Sequence, residues 1–353
     1  MRTEAPAIDL GDGAALGGLL REVADRARSA DDGLFWQWPG RTEGAAWDLH
    51  REAKVVERHG SWSLYLGLPW ATWLDRRRID PEQREMALEF SLQRSRLRAW
   101  RHRARRAGLA LRVHTVCQHI EWRALLPLWR ELGVTDVWLS HAPAPNSVDA
   151  AWGLKLHPWR LLAVNVEDPE RAAGLEPGRP PERRQILASF VGAHAAHYLS
   201  DVRLRLRELA GEADFVIEVG SRWHFEGVVY GHQIAGQDLR QSYAIDDSVL
   251  RYNRLLSDSV FALCPSGAGP NTLRLWEALA VGAIPVLLGA MPGLPSGGTL
   301  PPLDWEAVLL RFPDPFDLRE LPQRLRQVSQ AERIERQRLG MAAFAAVCDQ
   351  RCF

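Results

Sequence analysis

Lysine is almost missing from this chain: Lys54 and Lys155 are the only two, and arginine supplies the rest of its 44 basic residues. GC-rich coding alone produces such a bias. An excess of either charge is missing too, because 44 Asp and Glu balance the cations to a formal net charge of zero. That excludes a nucleic-acid binder working by general basicity, which needs surplus cations to displace counterions. Long apolar runs are absent. No stretch approaches the roughly 18 residues that cross a bilayer, and no charged n-region leads into an apolar one, so the expectation is a cytoplasmic protein. Cysteine is scarce. Cys117 and Cys264 fall in expected strands and Cys348 and Cys352 near the C-terminus, a pattern of reduced thiols without a second pair at zinc-ligand spacing. There is no internal repeat, no low-complexity tract and no D-x-D triplet. Gly11-Asp12-Gly13 with Gly17 misses the G-x-G-x-x-G spacing of a nicotinamide-binding turn. What is present is ordinary: 353 residues, 46% hydrophobic and 25% charged, the size of two α/β domains.

Short apolar runs bounded by turn residues alternate with helical periods, the pattern of parallel sheets covered on both faces. In the first half the pattern predicts strands near Trp62–Leu68, Leu109–Val116, Val134–Leu139 and Leu161–Val166, with helices near Pro81–Ala107 and Trp122–Leu132. From Glu167 to Arg184 four prolines and many charges break the periodicity, which marks a linker. A second series follows: strands Ile186–Val191, Asp214–Val219, Ser259–Cys264 and Ile284–Leu288, with helices Asp201–Leu209, Asp246–Leu256 and Asn271–Val281. The expected division is a first doubly wound domain over residues 1–180, a second over 181–330, and a helix over 331–353 that packs back on the first domain. Ligands of open parallel sheets bind beyond the carboxyl ends of the strands.

The most informative stretch is Ser259 to Gly289, which reads strand, loop, helix, strand. Its loop Pro265-Ser266-Gly267-Ala268-Gly269-Pro270 delivers the chain to Asn271, a preferred N-cap residue, and Thr272. A helix N-terminus behind such a loop either holds an anion or is plain turn chemistry. On the helix, Arg274 and Glu277 lie three apart and project together. They make either a surface ion pair or a clamp in which the acid holds ribose hydroxyls and the guanidinium a phosphate.

This segment resembles the C-terminal donor motif of exostosin-like glycosyltransferases, in which a cysteine-ending strand, a proline- and glycine-rich loop and an R-L-W-E-A-L-A-x-G-A-I-P-V unit recur together. Weaker echoes are Ser189-Phe190-Val191-Gly192 before Arg203, Trp223-His224-Phe225-Glu226 before Tyr230, Thr115-Val116-Cys117-Gln118-His119 and Leu139-Ser140-His141-Ala142. The segment is also similar to the K-L-W-x-A-L-x-x-G-x-x-P-V unit of the α-1,3-fucosyltransferases, but Thr272-Leu273-Arg274 stands where those have T-E-K. The resemblance implies an α/β chain of GT-B architecture, two Rossmann-like doubly wound domains facing across a cleft, the acceptor on the first (1–180) and the nucleotide sugar on the second (181–330). It also implies transfer of a sugar from a nucleotide diphosphate, UDP favoured and GDP open, to a saccharide acceptor. The expected donor-binding residues are Arg203, Ser266, Gly267, Ala268, Gly269, Asn271, Thr272, Arg274 and Glu277.

Inverting transfer needs a base in a strand-end loop facing the cleft. His119 has that position, with Glu121 and His141 beside it, and Asp149 is a weaker choice that also serves as an acceptor contact. Trp70 and Trp73 follow a strand and offer faces to a pyranose, although core packing accounts for most of the 15 tryptophans. With no D-x-D triplet, neither metal nor other cofactor is expected. Eight arginines between Arg94 and Arg112 form either a solvated face or a surface for an anionic, lipid-linked glycan acceptor at the inner membrane leaflet. A catalytically inactive glycan- or nucleotide-binding protein of the same fold is the alternative function.

Overall fold

The computed structural model describes residues 36–51, 55–58, 60–77, 84–142, 147–149, 152–223 and 247–353, with single residues 225, 227, 229 and 231; the side chains of 84–88 and 147–149 are not among the described parts. His224, Glu226, Tyr230 and the glycines near residue 11 lie outside them.

The first domain runs α1 (Thr42–His50), β1 (Val56–Arg58), β2 (Ser61–Tyr65), α2 (Trp70–Arg77), α3 (Arg84–Arg106), β3 (Ala110–Cys117), α4 (Leu126–Leu132), β4 (Asp136–Leu139), β5 (Ser147–Asp149) and β6 (Leu154–Pro158). Its sheet has the order β1-β2-β3-β4-β6-β5, with a parallel centre of β2, β3, β4 and β6 and an antiparallel strand at each edge. All of β4 and the last five residues of β3 are buried. Strands covered on both faces read as continuous apolar runs, which is why both stand out in the sequence. On α3, Leu97, Trp100 and Ala104 recur at helical spacing and face the sheet, with Trp100 edge-on to Trp62 at 5.9 Å.

The second domain runs β7 (Ile186–Ala193), β8 (Phe215–Gly220), α5 (Asp247–Asp258), β9 (Ser259–Pro265), α6 (Leu273–Val281), β10 (Ile284–Gly289), β11 (Leu310–Pro313) and α7 (Gln330–Cys348). All its strand pairs are parallel and their order is β11-β10-β9-β7-β8. The two faces alternate along β9. Phe261 and Leu263 join Phe190, Leu206 and Leu325 on one side, while Ala262 and Cys264 join Leu275, Leu279 and Val347 on the other. The chain steps from β7 outward to β8 and then returns past β7 to β9, so the strand order reverses between β7 and β9. In doubly wound sheets that reversal opens the crevice where ligands bind.

Three expectations are corrected. Leu161–Val166 is not a strand: the strand pairing with β4 is β6, and 161–166 is a loop ending in a short helix, Val164–Glu167. Its apolar residues Leu161 and Ala163 pack on the helices of the second domain instead. The proline-rich stretch is no free linker. Arg171 is buried, Asn253 Nδ2 donates to the carbonyls of Arg171 and Ala173 at 2.7 and 2.8 Å, and the buried Arg184 donates to those of Arg179, Leu256, Ser259 and Val281. It is a strap on the second domain, so the change of sheet falls between Pro158 and Ile186. Finally, α7 itself packs mainly on α6, with Phe344 5.9 Å from the Arg160 guanidinium. The residues after it cross over: Cys352 and Phe353 join Trp36, Trp47, Tyr65, Trp138 and Trp159, and the Cys352 N–H donates to His50 Nε2 at 3.0 Å.

Removing the Arg184 guanidinium orphans buried carbonyls, each at a cost of roughly 1–3 kcal/mol. Arg184→Met is expected to lower the urea midpoint clearly at unchanged slope, and an unchanged midpoint would show the strap to be unimportant for stability.

Candidate donor and acceptor site

The loops leaving β7 and β9 part at the reversal point, and two arginines occupy the gap. Arg203, on the short helix Val202–Arg205, reaches back to donate from Nη1 to the Ala193 carbonyl at 2.8 Å, from Nε to Ser266 at 3.0 Å and from Nη2 to Pro265 at 3.2 Å. Arg274, in the first turn of α6, donates to the Val191 carbonyl. Both guanidiniums stack against one ring, Phe190, at 4.5 Å for Arg274 and 5.7 Å for Arg203; Arg203 also lies over Tyr198 and Arg274 over Tyr252. Among the described residues neither is paired with a carboxylate. Burial, and then the like charge of Arg274, lower Arg203 to about 10, so it remains a cation at neutral pH. Two cations are thus held together on neutral carbonyls, beside a helix N-terminus that Thr272 leaves without a side-chain cap.

The loop itself behaves differently from the expectation. A Cβ on Gly267 would lie 2.8 Å from Arg203 Nη2, and one on Gly269 would collide with His141 and Ile120. The glycines thus admit the protein's own side chains. Ser266 is fully buried, and its Oγ accepts from Ala290 N at 3.3 Å, while Ala268 is half-buried. Asn271 is not the N-cap. Thr272 holds that position, and Asn271 Oδ1 accepts from Thr272 N and the Trp276 indole while its Nδ2 donates to Ser140 O at 2.7 Å, which ties the donor loop to the first domain.

Arg274 and Glu277 do project together, meeting at Tyr252. Glu277 is nevertheless buried, one oxygen accepting from Asn165 N at 3.1 Å and the other from Tyr252 Oη at 2.7 Å. It is neither a surface ion pair nor an unengaged ribose clamp: it fixes the crossover strap and α5 to α6.

Across the gap stand the carboxyl ends of β3 and β4. His119 is buried, its Nε2 3.1 Å from Asp75 Oδ1 and its Nδ1 accepting from Glu121 N at 3.0 Å. The Glu121 side chain is exposed. His141 abuts Gly269, and among the described residues its Nδ1 has no hydrogen-bond partner. Burial, with the nearby His119, lowers it to about 3, so it is neutral. Trp70 is corrected. It has no exposed surface, donates to Thr115 Oγ1 at 2.7 Å and packs on Phe90 and Trp129, so no sugar reaches it. Trp73 is half-buried, edge-on to Phe90 and capped by Arg77. Asp149 ends the edge strand β5, and its side chain lies outside the described residues. In the arginine run, Arg94 pairs with Glu131, Arg101 donates to Leu132 O and Arg112 pairs with Asp136, which leaves Arg98, Arg105 and Arg106 exposed.

Residues 161–328 match the family model of the Exostosin GT47 domain. This match bears out the resemblance read from the donor motif, and it holds Arg203, Ser266, Arg274 and Glu277 while leaving His119 and Trp70 outside. No curated protein matches the chain significantly. A solved structure of a GtfA/B complex aligns at 11% identity and TM-score 0.31 over 67% of this chain, and the chain spans only 51% of that one. The exostosin domain begins where the chain leaves β6, so the strap is part of it. No described helix is long and apolar enough to cross a membrane, and the described residues hold no cluster of three metal-ligating side chains.

Sequence reasoning missed Phe190, Tyr252 and Asn165, which complete the exostosin-domain site, and Asp75 beside His119. Only Phe190 carried a signal, as part of the Ser189-Phe190-Val191-Gly192 echo. Glu277→Ala is expected to destabilise the protein by roughly 1–3 kcal/mol for each group left unpaired, Asn165 N–H and Tyr252 O–H. Urea unfolding measures it, and an unchanged midpoint would return Glu277 to a purely ligand-binding role.

Proposed function

We propose that the protein is an inverting glycosyltransferase that takes a sugar from a nucleoside diphosphate donor, UDP favoured over GDP, and passes it to a saccharide acceptor. The observation that carries this reading is the pair of guanidiniums, Arg203 and Arg274, sharing Phe190 at the strand-order reversal of an exostosin domain. The diphosphate would lie on these cations and on the first turn of α6, with Ser266 to Thr272 as its wall. As the glycosidic bond breaks, charge grows on the leaving diphosphate, and fixed cations stabilise it more than the ground state. These cations, together with the lack of a D-x-D triplet, support transfer without metal. The acceptor would enter from the first-domain side, where His141 abuts Gly269 and His119 and Glu121 stand in the loop beyond β3, and its hydroxyl would give its proton there.

The exposed Arg98, Arg105 and Arg106 support a lipid-linked acceptor presented at an anionic membrane surface. A second reading has one observation in its favour: Glu277 is already spent on the protein, as suits a fold kept for binding alone. Turnover separates the two. Release of UDP or GDP from a panel of nucleotide sugars is expected in the wild type, unchanged by EDTA. It should be reduced on the order of 100-fold in Arg274→Ala, the scale of losing one preorganised transition-state contact. Nucleotide binding without release would favour the binding protein, and EDTA inhibition reversed by manganese would contradict metal-free transfer.

A further inference from the structure

A continuous buried polar chain lies behind the acceptor side of the cleft. Glu43 Oε1, on α1, accepts from Gln118 N at 3.0 Å, and Glu43 N donates back to Gln118 Oε1 at 3.0 Å. Gln118 Nε2 donates to Gln37 Oε1 at 2.6 Å, and Gln37 Nε2 donates to Asp75 Oδ2 at 2.6 Å. Asp75 Oδ1 then faces His119 Nε2 at 3.1 Å. Gln37, Asp75 and the adjacent Gln118 and His119 come from three places in the sequence, and all but the half-buried Gln37 are buried. Buried polar groups hold only when each is satisfied, so the chain fixes every donor and acceptor in it.

That fixes the imidazole. Asp75 is an acceptor at both oxygens, so His119 carries its proton on Nε2. Nδ1 accepts a backbone N–H from Glu121 at 3.0 Å, so Nδ1 holds the lone pair and the ring is neutral at rest. His119 stands in the loop beyond β3, close enough to His141 to lower it, and His141 abuts Gly269 in the loop after β9. The present partner of His119 Nδ1 is a main-chain N–H two residues away, a local bond that a hydroxyl can replace.

We propose that Asp75 is a positioning residue for His119, and that Asp75 and His119 form the base dyad of the transfer reaction, with Gln37 and Gln118 setting the orientation of Asp75. This rests on the glycosyltransferase reading above. In the step, the acceptor hydroxyl gives its proton to His119 Nδ1 while its oxygen bonds to the anomeric carbon. The bond from that carbon to the phosphate oxygen breaks, and its electron pair leaves with the nucleoside diphosphate. The imidazolium, stabilised by Asp75, then loses its proton to water. The same division of labour between an orienting carboxylate and a proton-taking imidazole operates in the serine-protease triad.

The groups that face His119 are Asp75 on α2, His141 beyond β4, Glu121 in its own loop, and Glu43 on α1 behind Gln118. Burial pushes Glu43 up to about 8, against the hydrogen bonds from Gln118 and Ala71 that favour its charge. Asp75 is therefore the carboxylate in direct contact, and Asp75→Asn is the informative change. A carboxylate beside an imidazole favours its protonated form.

The test is nitrogen-15 NMR of histidine-labelled full-length protein, with His119→Gln to assign the signal, alongside kinetics of sugar release from UDP- and GDP-sugars with water as acceptor. Wild type is expected to show the neutral Nε2–H tautomer. In Asp75→Asn the His119 midpoint and the acidic limb of the kcat profile should move together to lower pH, with kcat reduced about 100-fold or more and the donor KM within twofold. Asp75→Glu should recover part of kcat. An Nδ1–H tautomer in wild type, or an unmoved His119 midpoint in a folded Asp75→Asn, overturns the dyad. Calorimetry with UDP and GDP keeps the two readings apart. Loss of the dyad with nucleotide binding intact leaves the donor site standing, whereas absence of binding in wild type removes the donor reading and leaves the tautomer result to judge the dyad's geometry alone.

Discussion

Two guanidiniums that share one phenyl ring repel each other, and the second domain is arranged around holding them there. Arg203 is anchored on the carbonyls that end β7 and β9, and Arg274 on a carbonyl within β7 and on Tyr252. Neutral acceptors position a cation without cancelling it. The reversal of strand order supplies the room, because the connections from β7 and β9 run to opposite sides and leave their carboxyl ends uncovered. The donor loop, the first turn of α6 and the burial of Glu277 all follow from packing around that gap.

The two domains are joined at the same place. Asn271 donates to Ser140, Gly293 N donates to the Ala142 carbonyl at 2.9 Å, and Gly269 has no Cβ to keep it from His141. The donor loop is therefore set against the acceptor-side loops by hydrogen bonds at short range. Farther away, the strap before β7 and the residues after α7 tie the domains a second time, through the buried Cys352 and its bond to His50. Burial lowers His50 to about 4, so this bond to a neutral ring persists across the physiological range.

Much of the fold is legible in the sequence because parallel strands are covered on both faces. β4, β7, β9 and β10 are largely apolar runs, β3 is apolar at alternate positions and at its end, and all five are found within a few residues. β6 escaped, since Leu154-Lys155-Leu156-His157 alternates near the sheet edge, and the apolar 161–166 stretch drew the assignment although it packs on helices. Of the two arginines at the strand-order reversal, Arg274 was legible through the dense motif and Arg203 only through the weaker echo before it. Trp70 misled because an aromatic after a strand looks the same whether its indole faces a sugar or Thr115. The Asp75–His119 pair, and the glutamines behind it, left no local trace: their partners stand 38 to 81 residues apart, and only the folded sheet brings them together.

The central claim is the position of the diphosphate, and a crystal structure of the protein with UDP bound tests it most directly. The account predicts the two phosphates within hydrogen-bonding distance of Arg203, Arg274 and the first-turn N–H groups of α6, beside Phe190. Phosphates bound elsewhere, with both arginines still engaged only on backbone carbonyls, would contradict it.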